Sequence, residues 1–204
     1  ALIFKSSGTD IRFELPEGHI WKGGAATSTD GHPFNPNMPT EEVFTVPHKY
    51  GVDGKVTATK PLVYGGNLID GFSLTFKEGK VVDFEAETGY DTLKQLLEMD
   101  EGAKRLGELA LVPHSSPISQ SNLIFYNTLF DENASCHIAL GKAYPNNLEG
   151  GSSMSPEELD QHGVNDSLTH VDFMIGSADL NIDGENEDGT TEAIFRNGEW
   201  AIKF

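Results

Sequence analysis

The stretch LTHVDFMIG, at residues 168–176, places a histidine and an aspartate two positions apart inside an apolar run. Side chains two positions apart in a β-strand point to the same face, so His170 and Asp172 are predicted to project together. Burying both groups is costly unless each finds a partner. The pair therefore satisfies its own hydrogen bonds, meets a partner from elsewhere in the chain, or holds a cation.

Three further segments place a titratable side chain at the edge of an apolar run. Glu108 opens the strand-like LGELALVP, and His137 leads into the apolar part of FDENASCHIALGKAY. In PTEEVFTVP, Glu42 shares a strand face with Phe44, so we expect Glu42 to point inward and Glu41 outward. A buried carboxylate must be protonated, paired with a basic side chain or bound to a cation. Basic partners are scarce, because the chain has only 14 Lys and Arg against 32 Asp and Glu.

Imidazoles and carboxylates without enough basic partners are typical of a divalent metal site. A set that lacks thiolates suits Zn, Co or Mn in a catalytic rather than a structural site. The number of candidate ligands exceeds what one tetrahedral ion needs, which favours two ions about 3.5–4 Å apart that share a bridging carboxylate. No spacing matches H-E-x-x-H, and a hydrogen-bonded core histidine remains the alternative for His137. Cys136 would point to the opposite strand face from His137, so a thiol ligand is not expected.

Short β-like runs separated by Gly, Pro and Asp turns dominate the first half of the chain. TFKEGKVVDF and AIFRNGEWAIKF predict hairpins, the second with Asn197-Gly198 as a type I′ turn. Residues 90–106 predict a helix that Asp91 caps, and SPEELDQHG predicts a helix that starts with a capping box of Ser155 and Glu158. These elements predict an α+β fold with mixed or antiparallel sheets, a few helices and a C-terminal β-hairpin.

Composition argues against several classes of partner. The net charge of −18 disfavours nucleic acid and anionic membrane surfaces, because phosphates would be repelled. No apolar run approaches the ~20 residues of a membrane span. A single cysteine excludes an internal disulfide framework and favours a reducing compartment, so we expect a cytoplasmic protein. The segment DLNIDGENEDGT resembles a calcium loop, but Thr190 stands where that loop needs Glu, so an acidic turn between strands is expected.

Four segments resemble the signature segments of the thermophilic-type metallo-aminopeptidases, peptidase family M29, in matching order and at matching separations. They are MPTEEVFTVPH, LGELALVP, FDENASCHIALGKAYP and THVDFMIGS. The resemblance extends over nearly the whole chain, to DGTTEAIFRNGEWA near its end. It implies that residues 1–204 form a single metal-binding catalytic domain, the C-terminal half of a chain about twice as long.

The resemblance also implies the roles of individual residues. The matching ligand positions are Glu42, Glu108, His137, His170 and Asp172, with Glu132 as a further candidate ligand. Tyr144 matches a position that either ligates a metal or donates a hydrogen bond to the oxyanion. Two divalent ions per chain (Zn, Co or Mn), peptide substrates with a free N-terminus and a homodimer are implied as well.

The expected reaction is removal of N-terminal residues by a metal-activated water, with Glu42 or Glu108 as the proton shuttle. Two other functions stay open on the residues alone. A two-metal phosphoesterase uses similar ligands, although it usually needs basic groups in which this chain is poor. A non-enzymatic β-rich binding module would explain the strands but not the buried acids.

Overall fold

Two antiparallel sheets contain most of the strands. The structure, a computed structural model, describes residues 1–38 and 40–202. Within these ranges every pair of strands is antiparallel. In chain order the strands are β1 (Leu2–Ser6), β2 (Thr9–Phe13), β3 (Lys22–Gly23), β4 (Ala26–Thr27), β5 (Pro33–Phe34), β6 (Val43–Thr45), β7 (Val52–Thr57), β8 (Leu62–Tyr64), β9 (Asn67–Ile69), β10 (Ser73–Lys77), β11 (Lys80–Glu85), β12 (Leu106–Leu111), β13 (His137–Gly141), β14 (His170–Met174), β15 (Asn181–Glu185), β16 (Thr191–Arg196) and β17 (Glu199–Trp200).

The larger sheet has eight strands in the order β11-β10-β7-β2-β1-β15-β16-β17. Two-residue turns close its end hairpins. Glu78 and Gly79 have φ of 49° and 73°, and Asn197 and Gly198 have φ of 52° and 76°. Positive φ at both central residues is the requirement of a type I′ turn, so both hairpins predicted from the sequence are confirmed, including the one at the C-terminal end.

The smaller sheet has five strands in the order β14-β13-β12-β6-β3. Its two central strands, β12 and β13, are buried along their whole length. One face of this sheet contributes apolar side chains to a core shared with the larger sheet, where Phe173 packs on Phe72 with ring centroids 5.2 Å apart. Burial of that face fixes which side chains of each strand project from the other face.

A β-bulge in β12 changes the alternation along that strand. Leu106 and Glu108 lie two positions apart, but their partners on β13 are consecutive residues. The extra residue is Gly107, where a Cβ would come within 2.3 Å of the carbonyl oxygen of Lys142. Because of the bulge, Leu106 and Leu109 both join the core, whereas Glu108 projects from the opposite face.

The helices are short and lie between the strands. Among the described residues they are α1 (Tyr90–Leu97), α2 (Pro117–Ser121), α3 (Thr128–Asp131) and α4 (Pro156–Gln161), with 3₁₀ turns at Gly102–Lys104, Glu132–Ala134, Pro145–Asn147 and Gly151–Ser153. The predicted capping box of α4 is confirmed, since Ser155 and Glu158 each accept a hydrogen bond from the other's backbone N–H. None of the helices in residues 1–38 and 40–202 is long and apolar enough to cross a membrane. With two antiparallel sheets and few helices, the predicted α+β class is confirmed.

The prediction of one helix over residues 90–106 was wrong in its length and in its cap. Helix α1 ends at Leu97, and the residue before it is Gly89 with φ of 76°, whereas Asp91 lies inside the first turn. Beyond the helix, the Asp100 carboxylate accepts the backbone N–H of Ala103 at 2.7 Å. A side chain that bonds nearby backbone in this way competes with helix continuation. Residues 102–104 form a separate 3₁₀ turn, and Leu106 begins strand β12.

Candidate metal centre

Five of the six predicted ligands project from the face of the five-stranded sheet that faces away from the core. Glu108 lies on β12, His137 on β13, and His170 and Asp172 on β14. Glu42 directly precedes β6 and is buried, whereas Glu41 is exposed. The orientation that strand alternation predicted for these two glutamates is therefore confirmed. We call this surface, with its five side chains, the ligand face.

Two groups of three possible ligands form on the ligand face, and Glu108 belongs to both. The atoms of Glu42, Glu108 and His137 lie within 4.8 Å of one another, and so do those of Glu108, His170 and Asp172. The Glu108 Oε1 lies 3.6 Å from the Nε2 of His137, and its Oε2 lies 3.7 Å from the Nε2 of His170. One carboxylate thus presents one oxygen to each group, as a carboxylate that bridges two ions would.

The outer carboxylates complete the two groups. The Oε1 of Glu42 lies 3.3 Å from the Nε2 of His137. The Oδ2 of Asp172 lies 3.3 Å from the Nε2 of His170. Each histidine therefore has the shared carboxylate on one side and a carboxylate of its own on the other.

Backbone carbonyls fix the orientation of both imidazoles. The Nδ1 of His137 donates to the carbonyl oxygen of Ser135 at 2.9 Å, and the Nδ1 of His170 donates to that of Lys142 at 2.7 Å. With the proton held on Nδ1, the Nε2 of each neutral ring points its lone pair toward the carboxylates. Such a second hydrogen bond is the usual way in which a protein orients a metal-binding histidine.

Buried polar atoms that lack a hydrogen-bond partner indicate whether these residues are suited to bind a metal ion. In the part of the chain that the structure describes, three buried side-chain polar atoms have no hydrogen-bond partner, and two of them are His137 Nε2 and Asp172 Oδ1. Leaving such an atom unpaired costs about 1–3 kcal/mol. A divalent cation on the ligand face would satisfy both atoms, and the nitrogen and oxygen donors suit Zn, Co or Mn. The side chains of the ligand face therefore suit a divalent metal ion.

The neighbouring thiol takes no part. Cys136 is buried in the core, where its sulfur accepts the backbone N–H of Val112 at 3.3 Å. Burial raises the pKa of this thiol to about 11. A thiol held on the other side of the sheet is not available to the ligand face, which agrees with the alternation of β13.

Electrostatic repulsion among the carboxylates gives the cluster a high affinity for positive charge. Burial raises the pKa of Glu108, and the nearby Asp172 carboxylate raises it further. Burial alone would lower the pKa of His170, but its contacts with Asp172 and Glu108 raise that pKa to about 9. Without a cation the cluster therefore binds protons in its place. Because metal ligands must be deprotonated, metal binding at this face would release protons.

Glu132 and Tyr144 lie beside the ligand face. Glu132 is half-buried on a 3₁₀ turn, and its Oε1 accepts the Nδ2 of Asn37 at 2.7 Å. Its carboxylate is in neither group of ligand atoms formed by the described residues. Burial, reinforced by Asp172, raises its pKa to about 9. The Tyr144 ring packs against the His170 ring at 4.8 Å, and burial raises the pKa of its phenol to about 12, so the phenol remains a hydrogen-bond donor at neutral pH.

A cavity of about 380 Å³ opens over the ligand face. Its other walls are formed by Pro36 and Asn37 on one side, and by Thr128 and Leu129 on the other. None of the described residues that line it is Lys or Arg. Sequence reasoning missed Asn37, Thr128 and Leu129, because they lie in loops or a single helical turn where no periodicity marks a face. The only signal for Asn37 was its place in the Pro-rich segment GHPFNPNMP.

Comparisons with known proteins give the family of the chain. Residues 1–200 match the family model described as "Thermophilic metalloprotease (M29)". The chain belongs to the M29 family. The resemblance inferred from the four sequence segments is thereby confirmed.

Curated M29 relatives are similar over almost the whole chain. Aminopeptidase 2 of Geobacillus stearothermophilus is 68% identical over 99% of the chain, which covers 49% of that relative. Aminopeptidase T of Thermus thermophilus is 50% identical, with the same two shares. The chain spans about half the length of the curated relatives it matches.

Solved structures give the same result. The wild-type AmpT of Thermus thermophilus superposes with a TM-score of 0.92 at 50% identity, over 98% of this M29 chain and 49% of that chain. A 2,5-dihydroxypyridine dioxygenase from Pseudomonas putida KT2440 superposes with a TM-score of 0.57 at 13% identity, over 99% of the chain and 55% of that one. At such low identity the second likeness concerns the fold alone.

Proposed function

We propose that this chain forms the active site of a two-metal aminopeptidase that removes N-terminal residues from peptides. The observation on which the proposal rests is the position of Glu108, whose two oxygens face His137 and His170 separately. The names of the M29 relatives, which are aminopeptidases, support the reaction class. The metals are two divalent ions, with Zn, Co and Mn as the candidates.

The proposed ligands divide into two sets that share one residue. Glu42 and His137 would hold one ion, His170 and Asp172 would hold the other, and Glu108, which belongs to both groups of ligand atoms, would contribute to both sites. Bound divalent ions lower the pKa of a coordinated water and polarise a carbonyl group. The buried faces of β12 and β13 fix the spacing of the ligands, so little reorganisation is needed when substrate binds.

Sequence analysis made Glu132 a further candidate ligand and Glu42 or Glu108 the expected proton shuttle. Because the Glu132 carboxylate lies outside both ligand groups of the described residues, we propose Glu132 as the proton shuttle instead. Its carboxyl lines the same cavity as Asp172, and it lies outside both ligand groups that the described residues form. In the metal-loaded site the dications would lower its pKa, which burial and, after it, the Asp172 carboxylate raise. It can then accept a proton from the attacking water and deliver it to the leaving amine.

Tyr144 is proposed to stabilise the oxyanion. Its phenol is a donor at neutral pH, and its ring is held against His170 at the edge of the cavity. A donor in that position gains strength as negative charge develops on the carbonyl oxygen of the substrate.

Recognition of the substrate's N-terminus follows from the acidic character of the cavity. Among the described residues, four carboxylates line it: Glu42, Glu108, Glu132 and Asp172. A protonated α-amine can pair with a carboxylate, which would fix the first peptide bond over the reacting centre. The lack of Lys and Arg among the described lining residues favours this reading over a phosphoesterase, which needs cations to meet phosphate. A binding module without catalysis would not need ligand atoms left unpaired in the interior.

We also propose that residues 1–204 are the metal-binding catalytic half of a chain about twice as long, which forms a homodimer in the cytoplasm. The share of 49% that the chain covers in its relatives supports the first part. Size-exclusion chromatography with light scattering on the whole protein would test the dimer. The isolated 204-residue chain should bind metal but cleave peptides slowly, because the cavity over the ligand face would lack the walls that the other half supplies.

The experiment that tests the function compares a peptide with a free N-terminus and its N-acetylated twin. The whole protein, loaded with Co or Zn, should shorten the first peptide one residue at a time and leave the second intact, as followed by mass spectrometry. A chelator should stop the reaction. Equal cleavage of the acetylated peptide, or cleavage inside either peptide, would contradict the aminopeptidase proposal.

A further inference from the structure

One large apolar side chain reaches from the sheet into the cavity beside the predicted ligands. Phe44 lies on β6 two positions after Glu42, and both residues line the cavity. Val43 between them packs against the core, whereas Phe44 belongs to neither apolar core that the described residues form. The Phe44 side chain is only partly buried. Part of its apolar surface is therefore left for a ligand to cover.

The strand register determines where Phe44 lies relative to the ligands. Ala110 on β12 pairs with Phe44 on one side and with His137 on the other. Residues that pair directly project from the same face, so the three form a row across the sheet. At a strand spacing of about 4.8 Å, Phe44 lies about 10 Å from His137 across the sheet and about 7 Å from Glu42 along β6. Ala110 is fully buried and does not line the cavity, so it does not separate the ring from the ligands there.

The end of the cavity at Phe44 is apolar. Gly24 lines it directly after β3, the strand that pairs with β6. A Cβ on Gly24 would lie 3.8 Å from the Nδ2 of Asn35, which places the next residue, Pro36, at the same end. Lys22, which pairs with Phe44 from β3, does not line the cavity. The described lining residues at this end are therefore uncharged until Glu42 is reached.

We infer that Phe44 determines the side-chain specificity of this site, because its ring contacts the side chain of the substrate's N-terminal residue and favours large apolar and aromatic side chains over small ones. The inference rests on the proposed function, in which the first peptide bond is held over the ligand face. The α-amine and the side chain of that residue branch from one carbon. A substrate whose amine and first carbonyl lie at the ligands must therefore direct its first side chain into the space beside them.

Phe44 is better suited to form this subsite than Leu129 on the opposite wall. Leu129 lies on a helix of four residues, whereas β6 is paired with a strand on each side. A binding group on a paired strand is held more precisely than one on a single helical turn. An aromatic ring also adds a favourable contact with another ring beyond the area that it buries. We therefore expect phenylalanine to be the preferred first residue.

The test measures kcat/KM of the metal-loaded whole protein on Phe-Ala-Ala, Leu-Ala-Ala and Ala-Ala-Ala. The ratio between two peptides cancels any loss that affects all substrates alike. We expect the wild-type protein to favour Phe-Ala-Ala over Ala-Ala-Ala by about 10- to 100-fold, and Phe44→Ala to reduce this ratio to about 3-fold or less. Phe84→Ala, which truncates a partly buried phenylalanine on β11 of the larger sheet, should keep the wild-type ratio. Phe44→Leu should still favour Leu-Ala-Ala over Ala-Ala-Ala, and it guards against an alanine variant that fails to fold.

Binding of free amino acids gives a readout without catalysis. In isothermal titration of the metal-loaded whole protein, L-phenylalanine should bind about 10-fold more tightly than L-alanine to the wild type and to Phe84→Ala, and the two should bind equally to Phe44→Ala. The inference is overturned if the wild type shows no preference, if Phe44→Ala keeps it, or if Phe84→Ala loses it as well. It is also overturned if Phe44→Ala changes the ratio of Ala-Phe-Ala to Ala-Ala-Ala instead, since Phe44 would then contact the second residue. A wild-type protein that cleaves no peptide would contradict the proposed function, and the two Kd values would still decide the role of Phe44.

Discussion

Leu106 and Glu108 lie two positions apart on strand β12 yet face opposite sides of the sheet. Leu106 is fully buried in the core, whereas Glu108 points to the ligand face, because the bulge at Gly107 reverses the alternation between them. Without the bulge, a strand that buries Leu106 would bury Glu108 in the same apolar core. One glycine therefore decides whether the shared carboxylate meets two histidines or hydrophobic side chains.

Replacing Gly107 with alanine should destabilise the protein and disturb the metal site together. The new Cβ would come within 2.3 Å of the Lys142 carbonyl oxygen, so the backbone of β12 or β13 must shift. Overpacking of this kind typically costs about 1–3 kcal/mol. Urea denaturation and metal titration would measure both effects. Gly23→Ala is the control on the same sheet, since its Cβ would meet nothing closer than a carbonyl oxygen at 3.7 Å. Equal behaviour of the two variants would contradict the role given to the bulge.

Removing single ligands should have unequal effects on metal content. His170→Ala and Asp172→Ala each disrupt one group, so each should lose one ion and the activity while the β-rich circular dichroism spectrum stays. Glu108→Ala disrupts both groups and should lose both ions. Elemental analysis of purified variants gives the count, and the exposed His32→Ala is the control. Full activity in His170→Ala and Asp172→Ala would refute the site assignment.

Changing Tyr144 to phenylalanine should lower turnover and leave the metals in place. The phenol is proposed to donate to the oxyanion, and loss of one such donor typically costs about 10²–10³ in kcat. The ring contact with His170 would persist, since phenylalanine retains the ring. Steady-state kinetics with parallel elemental analysis would check this. Normal kinetics would leave Tyr144 a packing residue, and loss of metal would indicate a ligand.

Asp100 should stabilise the fold in a pH-dependent way. Burial acts to raise its pKa, but hydrogen bonds from the Leu168 N–H, the Ser167 hydroxyl and the Ala103 N–H outweigh burial and lower that pKa. A lowered pKa in the folded state means that the stabilisation is complete above the unfolded value of about 3.9 and is lost as the pH falls through the folded value.

Asp100→Asn should accordingly lower the free energy of unfolding at pH 7 by about 1 kcal/mol, a small value because the side chain is largely solvated. The difference from wild type should shrink as the pH drops below about 3.9. Urea denaturation at several pH values would measure it, with Asp30→Asn in an exposed turn as the control. A difference that grows toward acid pH would show that the hydrogen bonds do not favour the ionised form.

Local sequence patterns predicted the structure correctly wherever that structure depends on a single strand or turn. The alternation of side chains along a β-strand predicted that His170 and Asp172 share one face and that Glu42 and Glu41 point to opposite sides. The Asn197-Gly198 pair predicted its hairpin because few other residues adopt two successive positive φ values. Periodicity failed at residues 98–106, because helix α1 ends at Leu97, a separate 3₁₀ turn follows at Gly102–Lys104, and β12 begins at Leu106.

The sequence by itself determined which side chains are chemically able to bind metal and which face of each strand they share, since these follow from residue type and a period of two. Only the tertiary structure decided which carboxylate lies between the histidines. That depends on the register of β12 against β13 and on the bulge at Gly107, which follow from burial of the apolar face opposite the ligands. It likewise decided the contact of Asn37 with Glu132, because two loops 95 residues apart meet only when the sheet between them has formed.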